Sequence, residues 1–207
     1  MKTKTRRLSI RAKILIVTNV LIITAICTMG YYLYKRMAES MVEMGVEQAR
    51  IAAKMASIQL DGDKLKGFSA GDETTEQYSN MLSKLDNLKQ NSGMAFLYTL
   101  TTDGVNVYYG IDSDVPENRS AIGEPFEVSY EELKPVFDGD EYVQDYIDDT
   151  ENGQLITAYE PIYDAQGRVA CVLGSDFNAA EVVKSMNQTK MRVFQIGGMA
   201  IVLVLIG

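Results

Sequence analysis

The polar and apolar positions of this chain change period several times. From Ile14 to Tyr34 no residue is charged. A helix of about 20 residues, at about 1.5 Å rise each, crosses a hydrocarbon layer of about 30 Å. The pattern therefore predicts a transmembrane helix over 14–34. Residues 35–60 continue as a helix, with Met37, Met41, Met44, Gln48, Ile51, Met55 and Ile58 alternating four and three apart. That is a heptad seam with one polar interruption. Ala38, Val42, Ala49, Ala53, Ala56 and Leu60 form a second stripe of smaller residues. Two apolar faces imply two partners, the domain's own sheet and the same helix of a second copy, so a homodimer is expected. Both stripes packing inside one subunit is the alternative.

The segment 61–68 breaks this helix. A second helix follows, with Thr74 and Gln77 spaced as a capping box and Tyr78, Met81, Leu82, Leu85 and Leu88 on one face. The period then falls to two. Strands are expected at 95–101, 105–111, 142–147, 155–163 and 168–176, with turns at Asp103–Gly104, Asn152–Gly153 and Ala165–Gly167. Ser129 with Glu132 starts a short helix before the third strand. Asn178 with Glu181 starts a last helix leading into a second apolar run, VFQIGGMAIVLVLIG. This run, within 191–207, is short of a bilayer and is read as an incomplete second transmembrane helix. The chain would then be the front of a longer protein, with its cytoplasmic output beyond Gly207. The expected class is α+β, a five-stranded antiparallel sheet packed on a long N-terminal helix and flanked by two transmembrane helices.

Charge orients this arrangement. Residues 1–38 hold eight Lys or Arg and no acid, whereas 39–181 hold all 28 acids and nine basic residues. Lys and Arg collect on the cytoplasmic side of membrane spans. Residues 1–13 are thus a cytoplasmic N-terminus and 35–190 an extracytoplasmic domain of a multi-pass membrane protein. A cleaved signal peptide would have a shorter apolar stretch and a small-residue cleavage site; this run is longer and ends in Tyr31, Tyr32 and Tyr34. An acidic domain does not bind nucleic acid through its phosphates, which need a basic face. Cys27 and Cys171 belong to different regions and form no disulfide framework.

With these elements in place, a resemblance is clear. The amphipathic helix ending in DGD, then FLYTLTTDGVNVYY, then GQLITAYEPIYDAQGRVACVLGSDFNAAEV resemble a single Cache domain, over about residues 35–190. Such PAS-like domains are the extracytoplasmic sensors of bacterial receptors, above all methyl-accepting chemotaxis proteins. The resemblance implies a dimeric receptor in the bacterial inner membrane that senses a small molecule for chemotaxis. The same domain also precedes histidine kinases and diguanylate cyclases. A protein-interaction module without a small ligand is a further alternative.

The chain has no histidine, so Ser–His and Cys–His catalysis and histidine metal sites are absent from it. No phosphate-binding loop and no EF-hand spacing occurs. Acids are abundant, but abundance is not the geometry of a hydrolase. No enzyme activity, cofactor or metal is expected. A ligand pocket has better support. On the last strand Ala170, Val172, Gly174 and Asp176 share one face, small and ending in an acid; Val169, Cys171 and Leu173 share the bulkier other face, which should pack on the long helix. Tyr98, Tyr108 and Tyr159 on neighbouring strands would supply walls, and Tyr109, opposite Tyr108, would be core. Arg119 would meet a ligand carboxylate. Asp176 for an amine and Arg119 for a carboxylate would suit an amino acid or small carboxylate. Each has a plainer role: tyrosine packing, a surface arginine, and for Asp176 the start of the last helix.

Overall fold

The structure, a computed structural model, describes residues 9–206. Most of the basic N-terminus lies outside them. The chain divides into two compact units, residues 42–182 and residues 1–41 with 183–207. The division falls inside the first and the last helix.

The first helix, α1 (Ile10–Ser57), joins the apolar run and the amphipathic segment without a break. It contains an 18-residue window of mean hydropathy 2.1, none of it buried, and is the one helix among the described residues long and apolar enough to cross a membrane. The short α2 (Gly62–Leu65) follows, then α3 (Glu76–Ser92). The α3 cap is Thr75, one residue later than the capping-box spacing predicts, because a 3-10 turn takes up Asp72–Thr74; the Tyr78 amide donates to Thr75 Oγ1 at 3.2 Å.

The sheet contains β1 (Phe96–Thr102), β2 (Val107–Asp112), β3 (Tyr142–Val143), β4 (Asp148–Thr150), β5 (Gly153–Tyr163) and β6 (Val169–Asn178), with α4 (Tyr130–Phe137) before β3 and α5 (Ala180–Ile206) after β6. All pairings are antiparallel, and the order is β2-β1-β6-β5-β3, with β4 also on the outer edge of β5. This is the expected α+β class with one adjustment. The predicted strand 142–147 is two short strands on one edge. Between them the Gln144 side-chain amide donates to the carbonyls of Tyr146 and Leu155, taking the place of a ladder bond. Ser129 caps α4 as its spacing predicts, accepting from the Glu132 amide.

The two sheet faces pack differently. One carries Leu97, Ile156, Ala158, Cys171 and Leu173, buried against Ala49, Ala53 and Ala56 of α1 and against Leu85 of α3. The small stripe of α1 lets the helix come close to the strands; a Cβ on Gly45 would lie 2.8 Å from Ile156 Cδ1. The larger stripe stays outside: Met44, Ile51, Met55 and Ile58 are exposed. The other sheet face is covered by α4 and the connector before it. Tyr98, Leu100, Val172 and Tyr159 there pack with Phe126, Leu133 and Val136.

Candidate functional site

The α4-side face of the sheet borders a cavity of about 1040 Å³, at the upper end of ordinary ligand sites. Strand register builds its floor in two rows. Tyr98, Gly174, Tyr159 and Tyr142 are neighbours across β1, β6, β5 and β3; Phe96, Asp176 and Thr157 form the next row. Gly174 is required by the first row. The Tyr98 ring lies over it, and a Cβ there would meet Tyr98 Cε2 at 2.3 Å. Phe126 backs the rings, with centroids 5.7 Å from Tyr98, 5.1 Å from Tyr109 and 6.4 Å from Tyr159, inside the range of favourable aromatic pairing.

Asp176 lies at the cavity floor, 6% exposed. Its Oδ1 is buried without a hydrogen-bond partner. Burial lifts its carboxyl from the usual 3.8 to about 7; side-chain hydrogen bonding with Thr157 and Tyr98 pulls the other way, and the charges of Glu127 and Asp112 add to the rise. Burial likewise raises the phenols of Tyr98, Tyr159 and Tyr109, so all three stay neutral hydrogen-bonding groups. A nearly solvent-free carboxylate with an idle oxygen costs free energy until a donor reaches it.

Of the residues expected to bind ligand, Tyr98, Tyr159 and Asp176 come together at this cavity and Tyr108 and Arg119 do not line it. Strict alternation along the second strand assigns Tyr108 inward, but β2 contains a bulge. Its register against β1 shifts between Tyr98–Asp112 and Leu100–Tyr109. Thr99 fills the bulge: its Oγ1 accepts from the Ile111 amide at 2.7 Å, and a Cβ on Gly110 would lie 2.5 Å from that oxygen. The extra residue turns both Tyr109 and Asp112 to the cavity. Tyr108 faces away, its hydroxyl donating to Asp103 Oδ2 at 2.8 Å. Tyr109, expected in the core, is a cavity wall.

Arg119 folds back on its own loop. Its Nη2 donates to the Asp114 carbonyl at 2.8 Å, and its Nε is buried without a partner. Asp112 organises the same loop, accepting from the amides of Asp114 and Ser120 at 2.9 Å each. Burial raises its carboxyl too, those amide bonds opposing the rise. Phe126, Glu127 and Asp112 carried no signal in strand alternation. Phe126 is aimed inward because residues 123–126 run along the outer edge of β2, with Tyr109 N–H donating to the Glu124 carbonyl and Phe126 N–H to that of Val107. Only a long-range pairing could have exposed this.

Asp176 does not cap α5. The Ala180 amide donates to Asn178 Oδ1 at 2.9 Å. Among the described residues no three His, Cys, Asp or Glu side chains converge as a metal site.

No family model and no curated protein sequence matches the chain. Solved structures do. The sensory domain of the Campylobacter jejuni chemoreceptor Tlp3 with isoleucine bound is 13% identical, with a TM-score of 0.43 over 77% of this chain and 65% of that one. The chain thus spans just under two thirds of that domain's length. The E. coli DcuS sensor domain is 16% identical, at TM-score 0.45, over 73% and 98% of the two chains. The sensor domain of the V. cholerae histidine kinase DctB is 13% identical, at TM-score 0.46, over 75% and 60%. The neighbours are sensory domains of chemoreceptors and sensor proteins, in keeping with the Cache-like domain expected from the sequence. With TM-scores below 0.5, the likeness carries no argument about ligand or output.

Proposed function

We propose that residues 35–190 form an extracytoplasmic sensor domain that binds a small molecule in the tyrosine–aspartate cavity. The observation that carries this reading is Asp176, buried at the floor of a roomy cavity with one carboxylate oxygen unpartnered. A structural acid of this burial ordinarily has its hydrogen bonds satisfied within the fold. Tyr98, Tyr109 and Tyr159 supply the walls, whereas Tyr108 and Arg119 keep local roles.

In this reading the chain is anchored by residues 14–34 and 191–207 in the bacterial inner membrane, with the sensor outside and a chemotaxis output on the cytoplasmic side. That output class follows the sequence resemblance. Helix α5 begins four residues after Asp176, so occupancy that favours one arrangement of the end of β6 is passed to the helix that follows it. A ligand shifts such a balance only by its differential affinity for the two arrangements. The exposed seam of Met44, Ile51, Met55 and Ile58 supports pairing with a second copy.

The test is a thermal-shift screen of the full chain in lipid nanodiscs against a broad metabolite panel. A specific stabilising compound is expected, with the shift abolished in Asp176→Ala. A panel that stabilises nothing, or a hit bound equally well by Asp176→Ala, would sink the reading or its site respectively.

A further inference from the structure

The chemistry of the cavity is one-sided. Seven of its lining residues carry carboxylates, among them Asp112, Glu127, Asp148 and Asp176, and no lysine or arginine is among the described residues that line it. An anionic ligand would enter among like charges with no cation to meet it. The acids are also dispersed, converging on no point where a bare metal ion could be held. Interleaved with them are the rings of Tyr98, Tyr109, Tyr142, Tyr146 and Tyr159. Carboxylates spread among aromatic faces suit an organic cation, whose charge is met by acids and ring faces and whose alkyl body is met by ring area. The idle Asp176 Oδ1 adds a demand: it needs a hydrogen-bond donor. A quaternary ammonium has none, whereas a protonated amine has at least one.

We propose that the cavity binds a protonated aliphatic amine, whose ammonium N–H donates to Asp176 Oδ1 while the tyrosine rings enclose its chain. This deepens the sensing reading and rests on it.

Protonation gives the proposal a signature. The titratable groups facing Asp176 are Tyr98 from β1, Tyr109 and Asp112 from β2, Glu127 from the connector and Tyr159 from β5. The phenols stay neutral and the two other acids repel negative charge, so below about pH 7 the empty site holds a proton on Asp176. An arriving ammonium favours the carboxylate and expels that proton. Binding therefore releases close to one proton at about pH 6 and almost none at about pH 8.5, and affinity rises about tenfold between the two.

The experiment is calorimetric titration of the full chain in nanodiscs with butylamine and 1,4-diaminobutane, in buffers of different ionisation enthalpy. Tetramethylammonium, acetate and calcium chloride are the comparison probes. The expected result is saturable amine binding with the proton release described. Asp176→Asn should weaken it at least tenfold and abolish the release, and Glu127→Gln, at an exposed wall position, should weaken it a few-fold, about one charge interaction's worth. Tetramethylammonium or calcium binding as well as the amines, or amine binding unchanged in Asp176→Asn, overturns the proposal. Acetate binding that depends on Asp176 overturns the amine class but leaves small-molecule sensing standing. Silence from all five probes overturns the amine class as well, and sensing itself fails only if the metabolite panel is also silent.

Discussion

One strand, β6, shows two environments at alternate residues. Cys171 and Leu173 point to the α1–α3 side, at 1% and 0% exposure among leucines, alanines and isoleucine. Burial there pushes the Cys171 thiol up to about 12, so it behaves as a small hydrophobe rather than a nucleophile. Gly174 and Asp176 point the other way, into a cavity ringed by hydroxyls and carboxylates. On the helix side the buried Glu160 pairs with the half-exposed Lys54, so that acid is answered by a cation of the protein. The acid on the cavity side is not. One face is thus built for stability, the other held at some cost to stability for what it admits.

Truncation on the helix side should separate the two faces most sharply. Leu173→Ala removes a fully buried side chain from a core of closely packed neighbours. The expected loss is about 3–4 kcal/mol, lost transfer energy plus the residual cavity. Chemical denaturation of the full chain in detergent should show a lower midpoint with an unchanged slope. A loss below about 1 kcal/mol would mean that this face is not the main core.

The cavity side should respond with the opposite sign. In the native state Asp176 titrates at about 7, above its usual 3.8. The native protein thus holds an extra proton between those values, so stability falls as pH rises through that window and levels off above it. Such a rise in pKa corresponds to roughly 4 kcal/mol. Asp176→Asn removes that penalty but still buries an amide that lacks a full set of partners, a cost of about 1–3 kcal/mol. A net gain of roughly 2 kcal/mol is expected above about pH 7, shrinking as pH falls and becoming a net loss of about 1–2 kcal/mol towards about pH 4, where only the amide cost is left. Melting curves of the ligand-free variant and wild type across pH would show it. A variant that is destabilised at every pH would make Asp176 an ordinary structural acid.

Much of this contrast could be read from the sequence, because it follows from period. Alternation over 168–176 separated the small, acid-ended face from the bulky one. The alanine stripe of α1 announced the helix that would cover the bulky face, and the turn residues fixed most of the hairpins. Asp176, Tyr98 and Tyr159 followed from the same counting, since no irregularity intervenes between them in β1, β5 or β6. What stayed hidden depends on groups far apart in the chain. Arg119 was chosen for its charge, but a single basic residue in a loop has no register, and here it bonds to its own loop at Asp114. Phe126 and Glu127 reach the cavity only because the connector runs beside β2. The Gln144 amide replaces ladder bonds in a strand that looked continuous.

The assignment of Tyr109 and Tyr108 turns on one threonine. Thr99 Oγ1 accepts from the Ile111 amide inside the sheet, satisfying a donor that the bulge takes out of the ladder. Thr99→Val keeps the shape and removes the acceptor. It leaves that N–H buried and unpaired, at a cost of about 1–2 kcal/mol, the smallest of the three effects. If the bulge is held chiefly by this bond, the variant should also slip towards regular pairing, since regular pairing restores the amide's partner. A slip by one residue reverses which side chains face each way, so Tyr108 would turn towards the cavity and Tyr109 away. Hydrogen exchange should then find the Ile111 amide faster in the variant, and ligand stabilisation should fall although Asp176 is untouched. Loss of stability without loss of binding would instead mean that the close approach of Gly110 to the Thr99 backbone, whose carbonyl oxygen a Cβ would meet at 3.3 Å, holds the bulge in place, and that the threonine hydroxyl only satisfies the amide the bulge exposes.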